Sequence, residues 1–224
     1  MGSARSEAVL RGLIKIWTDF DTSLNNVPLI AKLNRDRLRL DDYKQFLINH
    51  RQQVIEGARW IARAASGIDE PYVELRSLFM KHAVTEHRDF EMLERDYVSV
   101  GGVLEDIRRT EKNIGTEALH AFMYHRASQP NPFDLLGAMF IIEGLGQKKA
   151  LEWGKAIQRQ LALNEHQVSF LLYHGANDDE HMEQFDSTLN SGILEIPEMD
   201  RRITRTAQIT ARLYRLQLEE IGVA

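Results

Sequence analysis

One segment of the sequence concentrates side chains that can bind a metal ion. His174, Asp178 and His181 follow one another at spacings of four and three residues. On a helix these spacings place all three side chains on one face, and Phe170 and Phe185 continue that stripe on either side. Helical bundles build metal sites from imidazole and carboxylate groups that project inward in this way. The segment therefore predicts a metal-binding helix.

A second stripe of ionisable residues lies on the helix expected after Pro71. His82, Glu86 and Asp89 recur at helical spacing between apolar residues at both ends of the stripe. Burying a carboxylate without a partner costs free energy. A core face that carries such groups therefore needs partners that neutralise them or hydrogen-bond to them. A metal would do so, and the alternatives are a solvated groove or pairing with arginines of another helix. His87 points away from the stripe and is expected at the surface.

Two other helices offer further candidate donors. Glu143 interrupts the apolar run of residues 139–142, where it is either a metal ligand or a hydrogen-bonded core residue. Glu56 is a weaker candidate on the helix expected after Leu40, because it lies off the centre of the apolar face. His50 is the more central residue of that face. A structural role is the alternative for both Glu56 and His50.

The combined donor set indicates which metal to expect. It contains nitrogen and carboxylate ligands and no thiolate, since the chain has no cysteine. Such a set favours iron or manganese over a structural zinc, although zinc also binds these groups. The candidates exceed the needs of one ion and suit two bridged ions.

These donors require helices to position them, and the rest of the sequence provides helical patterns. Apolar residues recur at helical spacing, and no stretch alternates with a period of two for long enough to predict a strand. The expected fold is all-α, a single metal-binding domain over residues 1–224 built as a bundle of about seven helices. The expected helices lie around residues 13–20, from Leu40 to Ile61, from Pro71 to Gly101, around Leu119 and Phe122, from Phe133 to Leu161, from Glu165 to Leu189, and after Pro197.

Composition excludes several classes of function. The formal net charge is −5 and no basic stripe is present, so no nucleic-acid partner is expected. No apolar run is long enough for a membrane span, and no signal-peptide core follows the N-terminus. Without cysteines there are no disulfides, thiolate metal sites or cysteine nucleophiles. We therefore expect a soluble, cytoplasmic protein that contacts no membrane.

From about residue 40 to residue 190, the sequence resembles the heme-oxygenase-like diiron oxidases and oxygenases. The most specific part is the run Phe140-Ile141-Ile142-Glu143-Gly144, followed about thirty residues later by His174, Asp178 and His181. That superfamily has a seven-helix fold that also occurs in heme oxygenase, the TenA thiaminases and the pyrroloquinoline-quinone synthase. The resemblance implies this fold for the chain.

The same resemblance extends the ligand set. The family's upstream glutamate would correspond to Glu56, and the family usually places a glutamate and a histidine on the third helix. Here that helix offers a rearranged set, His82, Glu86 and Asp89. The expected metal ligands are Glu56, His82, Glu86, Asp89, Glu143, His174, Asp178 and His181, of which Glu86 and Glu143 are also expected to be catalytic.

Other members of the fold fit the sequence less well. TenA thiaminases normally use a cysteine nucleophile, which this chain lacks. A heme oxygenase needs a proximal histidine near the N-terminus, and no histidine precedes His50. The metal-free quinone-forming enzyme would not need the set His174, Asp178 and His181.

By resemblance, the cofactors are two Fe(II) ions with O2 as co-substrate, and an external electron donor and a homodimer are compatible with this class. The expected substrate is a small carboxylate-bearing molecule, preferably an amino acid, which undergoes N-oxygenation, oxidative C–C cleavage, or conversion to an alkene or nitrile. Lys148, Lys149, Arg51 and Arg63 are candidate anchors for the carboxylate, with a solvated surface charge as the alternative for each. Two alternative functions stay open. One is a fatty-acid-type oxidative decarboxylase, and the other is a non-catalytic helical protein with a single structural metal or a buried polar network.

Overall fold

A computed structural model of the chain describes residues 4–177 and 185–222. The described residues form helices and contain no strand, so the prediction of an all-α fold is confirmed. In chain order the α-helices are α1 (Ala4–Leu24), α2 (Pro28–Asn34), α3 (Leu40–Val54), α4 (Gly57–Ser66), α5 (Val73–Glu86), α6 (Phe90–Ser99), α7 (Leu104–Arg109), α8 (Ile114–Ala127), α9 (Leu136–Leu145), α10 (Leu151–Leu161), α11 (Ser169–Asn177) and α12 (Met199–Glu219). Residues 185–189 are also helical. Short 3₁₀ helices cover Glu70–Tyr72, Phe133–Leu135, Glu165–Gln167 and Ile193–Glu195, and the π-helix Gly146–Ala150 joins α9 to α10.

The longest helices, α1 and α12, enclose the apolar helix α9. On α12 the buried residues Ile203, Ala207, Tyr214 and Leu218 recur at helical spacing, and this face packs against α1, α8 and α9. Gly137 lets α9 approach closely, because a Cβ at that position would collide with the backbone of Ile203. Within the described residues, no helix is both long and apolar enough to cross a membrane.

Several predicted helices are divided in the structure. The helix expected from Leu40 to Ile61 breaks at Ile55 and Glu56 into α3 and α4, and the helix expected after Pro71 breaks at residues 87–89 into α5 and α6. The helix expected from Phe133 to Leu161 contains the π-helix. The expected count of about seven helices is therefore only approximate.

Two buried carboxylates of α6 connect this helix to its neighbours. Glu94 accepts hydrogen bonds from Arg51 of α3 (2.9 Å) and from Arg108 of α7 (2.7 Å). Asp96 is fully buried and accepts hydrogen bonds from the backbone N–H of Ser169 (3.1 Å) and Phe170 (3.0 Å). Asp96 therefore caps the N-terminus of α11 from a different helix.

Candidate metal centre

Four helices bring five of the predicted donor residues to one region. His82 and Glu86 lie in the last part of α5, and Asp89 immediately precedes α6 as its N-cap residue. Glu143 lies near the end of α9, and His174 lies in α11. His82, Glu86, Glu143 and His174 line the same cavity. The structure therefore places these side chains together although they are distant in sequence.

The first part of this region is built around His82. Its Nε2 atom lies 3.5 Å from Oε1 of Glu143 and 3.8 Å from Oε1 of Glu86. These separations are longer than ordinary N–H···O hydrogen bonds, which are mostly between 2.7 and 3.2 Å. One imidazole thus lies close to two carboxylates, one from its own helix and one from α9.

The second part joins α6 to α11. Nε2 of His174 lies 3.3 Å from Oδ2 of Asp89. The ring of His174 also packs against Phe170, with 4.3 Å between the ring centroids, and edge-on against Tyr173 at 5.3 Å. These aromatic contacts restrict the rotation of the imidazole and hold its nitrogen toward Asp89.

The backbone departs from regular α-helix beside both parts. The turn at residues 87–89 separates Glu86 from α6 and leaves Asp89 at a helix N-terminus. The π-helix Gly146–Ala150 begins three residues after Glu143, and π-helical turns in longer helices often occur at functional sites. His87, in the turn, is exposed, as the sequence predicted, and its Nδ1 lies 2.6 Å from the carbonyl oxygen of Val84.

The cavity beside the donors has a volume of about 110 Å³. Apart from the donors, its wall is mainly apolar and includes Trp60, Ile61, Met139, Ile142, Trp153 and Leu171. The described residues that line it include no lysine and no arginine. A small molecule in this space would therefore contact hydrocarbon and aromatic surface on most sides and the His and Glu donors on another.

Three polar residues of the cavity wall, His50, Gln53 and Tyr214, lie outside the set of predicted metal ligands. His50 is 8% exposed, and burial lowers its pKa to about 3, with a further contribution from His174, so its imidazole is neutral. The hydroxyl of Tyr214 donates to Oε1 of Gln53 at 3.3 Å, and burial raises the pKa of Tyr214. The central position of His50 on its helix face was a usable signal. The spacing of the buried residues on α12 could have pointed to Tyr214.

Glu56 is not brought to this region. Its carboxylate accepts hydrogen bonds from the hydroxyl of Tyr124 (2.7 Å) and from Lys112 (3.1 Å), and it pairs with Arg59. Burial opposes ionisation of Glu56, but the hydrogen bonds from Tyr124 and Lys112 outweigh it, so the pKa of Glu56 is lowered. In this structure two cations and a phenol neutralise and solvate the charge of Glu56, and its role as a metal ligand stays a prediction.

The predicted carboxylate anchors also lie away from the cavity wall. None of the four cationic side chains lines it among the described residues. Their contacts are Arg51 with Glu94, Lys149 with Asp21 (3.1 Å), Lys148 over the ring of Trp17, and Arg63 with Ser128 (3.2 Å). Among the described residues, no lysine or arginine is therefore placed to bind a substrate carboxylate inside the cavity.

The chemistry of the donors fits a non-heme iron site. His82, Glu86, Asp89, Glu143 and His174 supply two imidazoles and three carboxylates, ligand types that iron binds in helical bundles. Among residues 4–177 and 185–222, no three histidine or carboxylate side chains form a group already spaced to hold one metal ion. The predicted ligands Asp178 and His181 lie outside the described residues.

Comparison with known proteins adds a family and a fold. A family model described as "iron-containing redox enzyme" matches residues 44–215, which is most of the chain. No curated protein matches the sequence.

Solved structures show the same arrangement of helices. A domain of unknown function with a heme oxygenase-like fold from Shewanella denitrificans has a TM-score of 0.83 at 21% identity, over 92% of this chain and 88% of that one. A TenA homologue from P. horikoshii has a TM-score of 0.74 at 16% identity, over 97% of each chain. A TenA homolog from Pseudomonas syringae pv. tomato has a TM-score of 0.75 at 16% identity, over 95% of this chain and 91% of that one. At these identities the similarity shows the heme-oxygenase-like fold.

Proposed function

Since the chain belongs to the family of iron-containing redox enzymes, we propose that it is a non-heme diiron oxidoreductase that uses dioxygen to oxidise a small organic substrate. The observation that carries this proposal is the convergence of His82, Glu86, Glu143 and His174 on one largely apolar cavity. A buried polar network would satisfy the same residues, but it would not need a cavity between them.

Two groups of donors support two ions. His82, Glu86 and Glu143 of α5 and α9 would hold one ion. Asp89 and His174 of α6 and α11 would hold the other, together with Asp178 and His181, which are ligands by sequence prediction. When bound, the iron pair supplies the electrons and open coordination positions that reduction of dioxygen requires.

The protein residues contribute a dry environment and proton control. Trp60, Trp153 and Leu171 cover the cavity with apolar surface and so exclude water from the reacting groups. Oε1 of Glu143 lies near Nε2 of His82 and lines the cavity, so it is an atom at which the chain can hold a proton beside the substrate. Glu86 lies on the other side of His82 and is the second candidate for this role.

The expected substrate is small. A cavity of about 110 Å³ supports an amino-acid-sized substrate over a long fatty acid. Because no lysine or arginine lines the described cavity wall, we place a substrate carboxylate, where there is one, at the iron end of the cavity. Reactions that consume more electrons than the iron pair holds would use an external electron donor.

Iron stoichiometry tests the proposal most directly. The two donor groups predict close to two Fe(II) per chain after anaerobic loading of the full-length protein, followed by oxygen-dependent absorbance when air is admitted. Iron content by colorimetric assay and oxygen uptake with an electrode would measure both. A maximum of one ion per chain without any oxygen-dependent change would favour the alternative of a non-catalytic protein with a structural metal.

The ligands of the last donor helix form a second arm of this test. His174→Ala, Asp178→Ala and His181→Ala should each lower iron loading and abolish oxygen uptake, while far-UV circular dichroism stays helical. The matched control is His125→Ala, since His125 is exposed on α8, and this variant should behave as the wild type. Unchanged oxygen uptake in all three ligand variants would eliminate the proposed centre.

A further inference from the structure

A second, smaller space lies next to the cavity that the metal donors line, which we call the donor cavity. This side pocket lies between α2, α3, α10 and α11. Its wall consists of Leu29, Ile30, Leu33, Leu38, Tyr43, Phe46, Trp153, Ile157 and Leu171, all of them buried. Phe46, Trp153 and Leu171 also line the donor cavity. These three side chains therefore form a partition between the two spaces.

The polar groups near the side pocket already have hydrogen-bond partners. The hydroxyl of Tyr43 donates to the carbonyl oxygen of Gln167 at 2.8 Å. The side chain of Gln160 donates to the carbonyl oxygen of Leu33 (2.8 Å) and accepts from the backbone N–H of Leu38 (3.3 Å). A buried water needs several polar partners, and an apolar cavity without them stays dry. The side pocket is therefore suited to an apolar occupant.

The size of the side pocket limits that occupant to a very small molecule. Its volume is about 20 Å³, less than one fifth of the donor cavity at about 110 Å³. A hydrocarbon chain or an aromatic ring would fit only if the partition moved, whereas a monatomic or diatomic gas fits as the wall stands. Dioxygen has no dipole moment and passes readily from water into apolar surroundings. It therefore matches both the size and the polarity of the side pocket.

We propose that the side pocket is a binding site for dioxygen, from which the gas reaches the metal donors through the partition of Phe46, Trp153 and Leu171. Leu171 precedes His174 by three residues on α11, so the two side chains lie about one helical turn apart and both line the donor cavity. A gas molecule that passes Leu171 thus arrives beside a donor.

This inference rests on the proposed function for the identity of the gas. It adds to that function a site for the co-substrate that is separate from the space for the organic substrate. A substrate that fills the donor cavity would then leave the approach of dioxygen through the partition open.

Noble gases test the side pocket itself, because they are apolar and need no iron. Crystals of the metal-free, full-length protein pressurised with xenon, or with the smaller krypton, should show the gas between Leu33, Phe46 and Ile157. Leu33 lines the side pocket and not the donor cavity. Leu33→Phe adds a ring to the pocket and should abolish the gas density, whereas Leu33→Met, of similar volume, should keep it. Wild-type crystals without either gas at this position would overturn the proposal.

The reaction with dioxygen tests the route to the donors. Fe(II)-loaded protein would be mixed with oxygenated buffer in a stopped-flow instrument, and the second-order rate constant of iron oxidation would be measured. Leu33→Phe should lower this rate constant by about threefold or more at unchanged iron content, because the gas loses its binding site beside the partition. Leu33→Met should match the wild type. A wild-type rate constant in a Leu33→Phe variant that no longer binds xenon would overturn the route.

A second variant covers the case in which Leu33→Phe does not fold. Ile157→Phe fills the same pocket from α10 and should have the same two effects, and if neither variant folds, the wild-type gas density decides. The two proposals fail separately. Gas density in a protein that loads no iron would reject the diiron function and uphold the gas-binding pocket. Absence of gas density in a protein that loads two iron ions would reject the pocket and leave the diiron function standing.

Discussion

At the scale of single residues, environment separates the histidines into different chemical roles. His82 and His174 face carboxylates, at 3.5 Å from Glu143 and 3.3 Å from Asp89. His50 and His120 are buried, and burial is the main cause of their low pKa values, about 3 and about 4. His87 is exposed. A histidine therefore cannot be assigned a function from its residue type alone. The groups around its ring decide the role.

Adjacent residues in α5 and the turn after it give the sharpest test at this scale. Glu86 lines the cavity, whereas His87 is exposed and contacts the carbonyl of Val84. Glu86→Ala should lose most bound iron and oxygen uptake, because water cannot replace the negative charge of a ligating carboxylate. His87→Ala should keep both. Iron content and oxygen consumption of the two purified variants would check this, and an inactive His87→Ala beside an active Glu86→Ala would contradict the assignment.

The sequence predicts which ionisable side chains share a helix face, but not which residues of other helices surround them. Helical spacing placed His82 and Glu86 on one face, and the apolar run placed Glu143 inside the core, because these signals are local. The partners of Glu56 could not be predicted, since Lys112 and Tyr124 reach it from a distant part of the chain. Spacing along one helix carries no information about which other helix packs against it.

At the scale of elements, helix breaks lie beside the predicted donors. The pattern from Leu75 to Tyr97 continues across the turn at residues 87–89 with its three- and four-residue spacing nearly intact, so periodicity predicted one helix where the structure has α5 and α6. The π-helix at Gly146–Ala150 likewise gives no clear signal in the sequence, because apolar residues continue on both sides of it. The sequence therefore allowed the presence and the type of the helices to be predicted, but not the positions at which they are interrupted.

The cap that α6 provides for α11 leads to a prediction about helix position. Fully buried Asp96 accepts hydrogen bonds from the first backbone N–H groups of α11, the helix that carries His174. Asp96→Ala should lower the free energy of unfolding by about 1–3 kcal/mol, because it leaves buried donors unsatisfied. Amide hydrogen exchange of α11 should also accelerate. Thermal unfolding and exchange mass spectrometry would measure these effects.

An exposed carboxylate provides the control for this experiment. Glu105 pairs with Arg109 at the surface of α7, where an ion pair contributes little, so Glu105→Ala should change the free energy of unfolding by less than about 0.5 kcal/mol. Equal stability of Asp96→Ala and Glu105→Ala would show that Asp96 does not hold α11.

At the scale of the whole molecule, a buried ion pair links stability to pH. Glu94 is 4% exposed and joins α3, α6 and α7 through Arg51 and Arg108. Burial opposes its ionisation, but hydrogen bonds from Arg108 and Arg51 outweigh it and hold the pKa of Glu94 below the ordinary 4.5. A carboxylate whose pKa is lowered on folding stabilises the folded protein at pH values above its ordinary pKa. This stabilisation is lost as the pH falls through the pKa of the folded state.

Glu94→Gln should therefore destabilise the protein most at neutral pH. Removing one partner leaves the buried guanidinium of Arg51 without its charge partner, which typically costs about 3–5 kcal/mol, and the partial exposure of Arg108 places this case toward the lower end. The difference from the wild type should shrink as pH falls below 4.5. Urea unfolding at several pH values would measure it, and a difference that does not vary with pH would contradict the linkage.

The aromatic wall of the cavity also gives the molecule an optical property. Trp60 and Trp153 both line the cavity, and the chain has only three tryptophans. Two of the three indoles that can emit in the ultraviolet therefore lie next to the proposed centre. Whatever fills that space, whether ions, a small molecule or water, should change the intensity and wavelength of the emitted light, so the chain carries its own fluorescent reporter of occupancy.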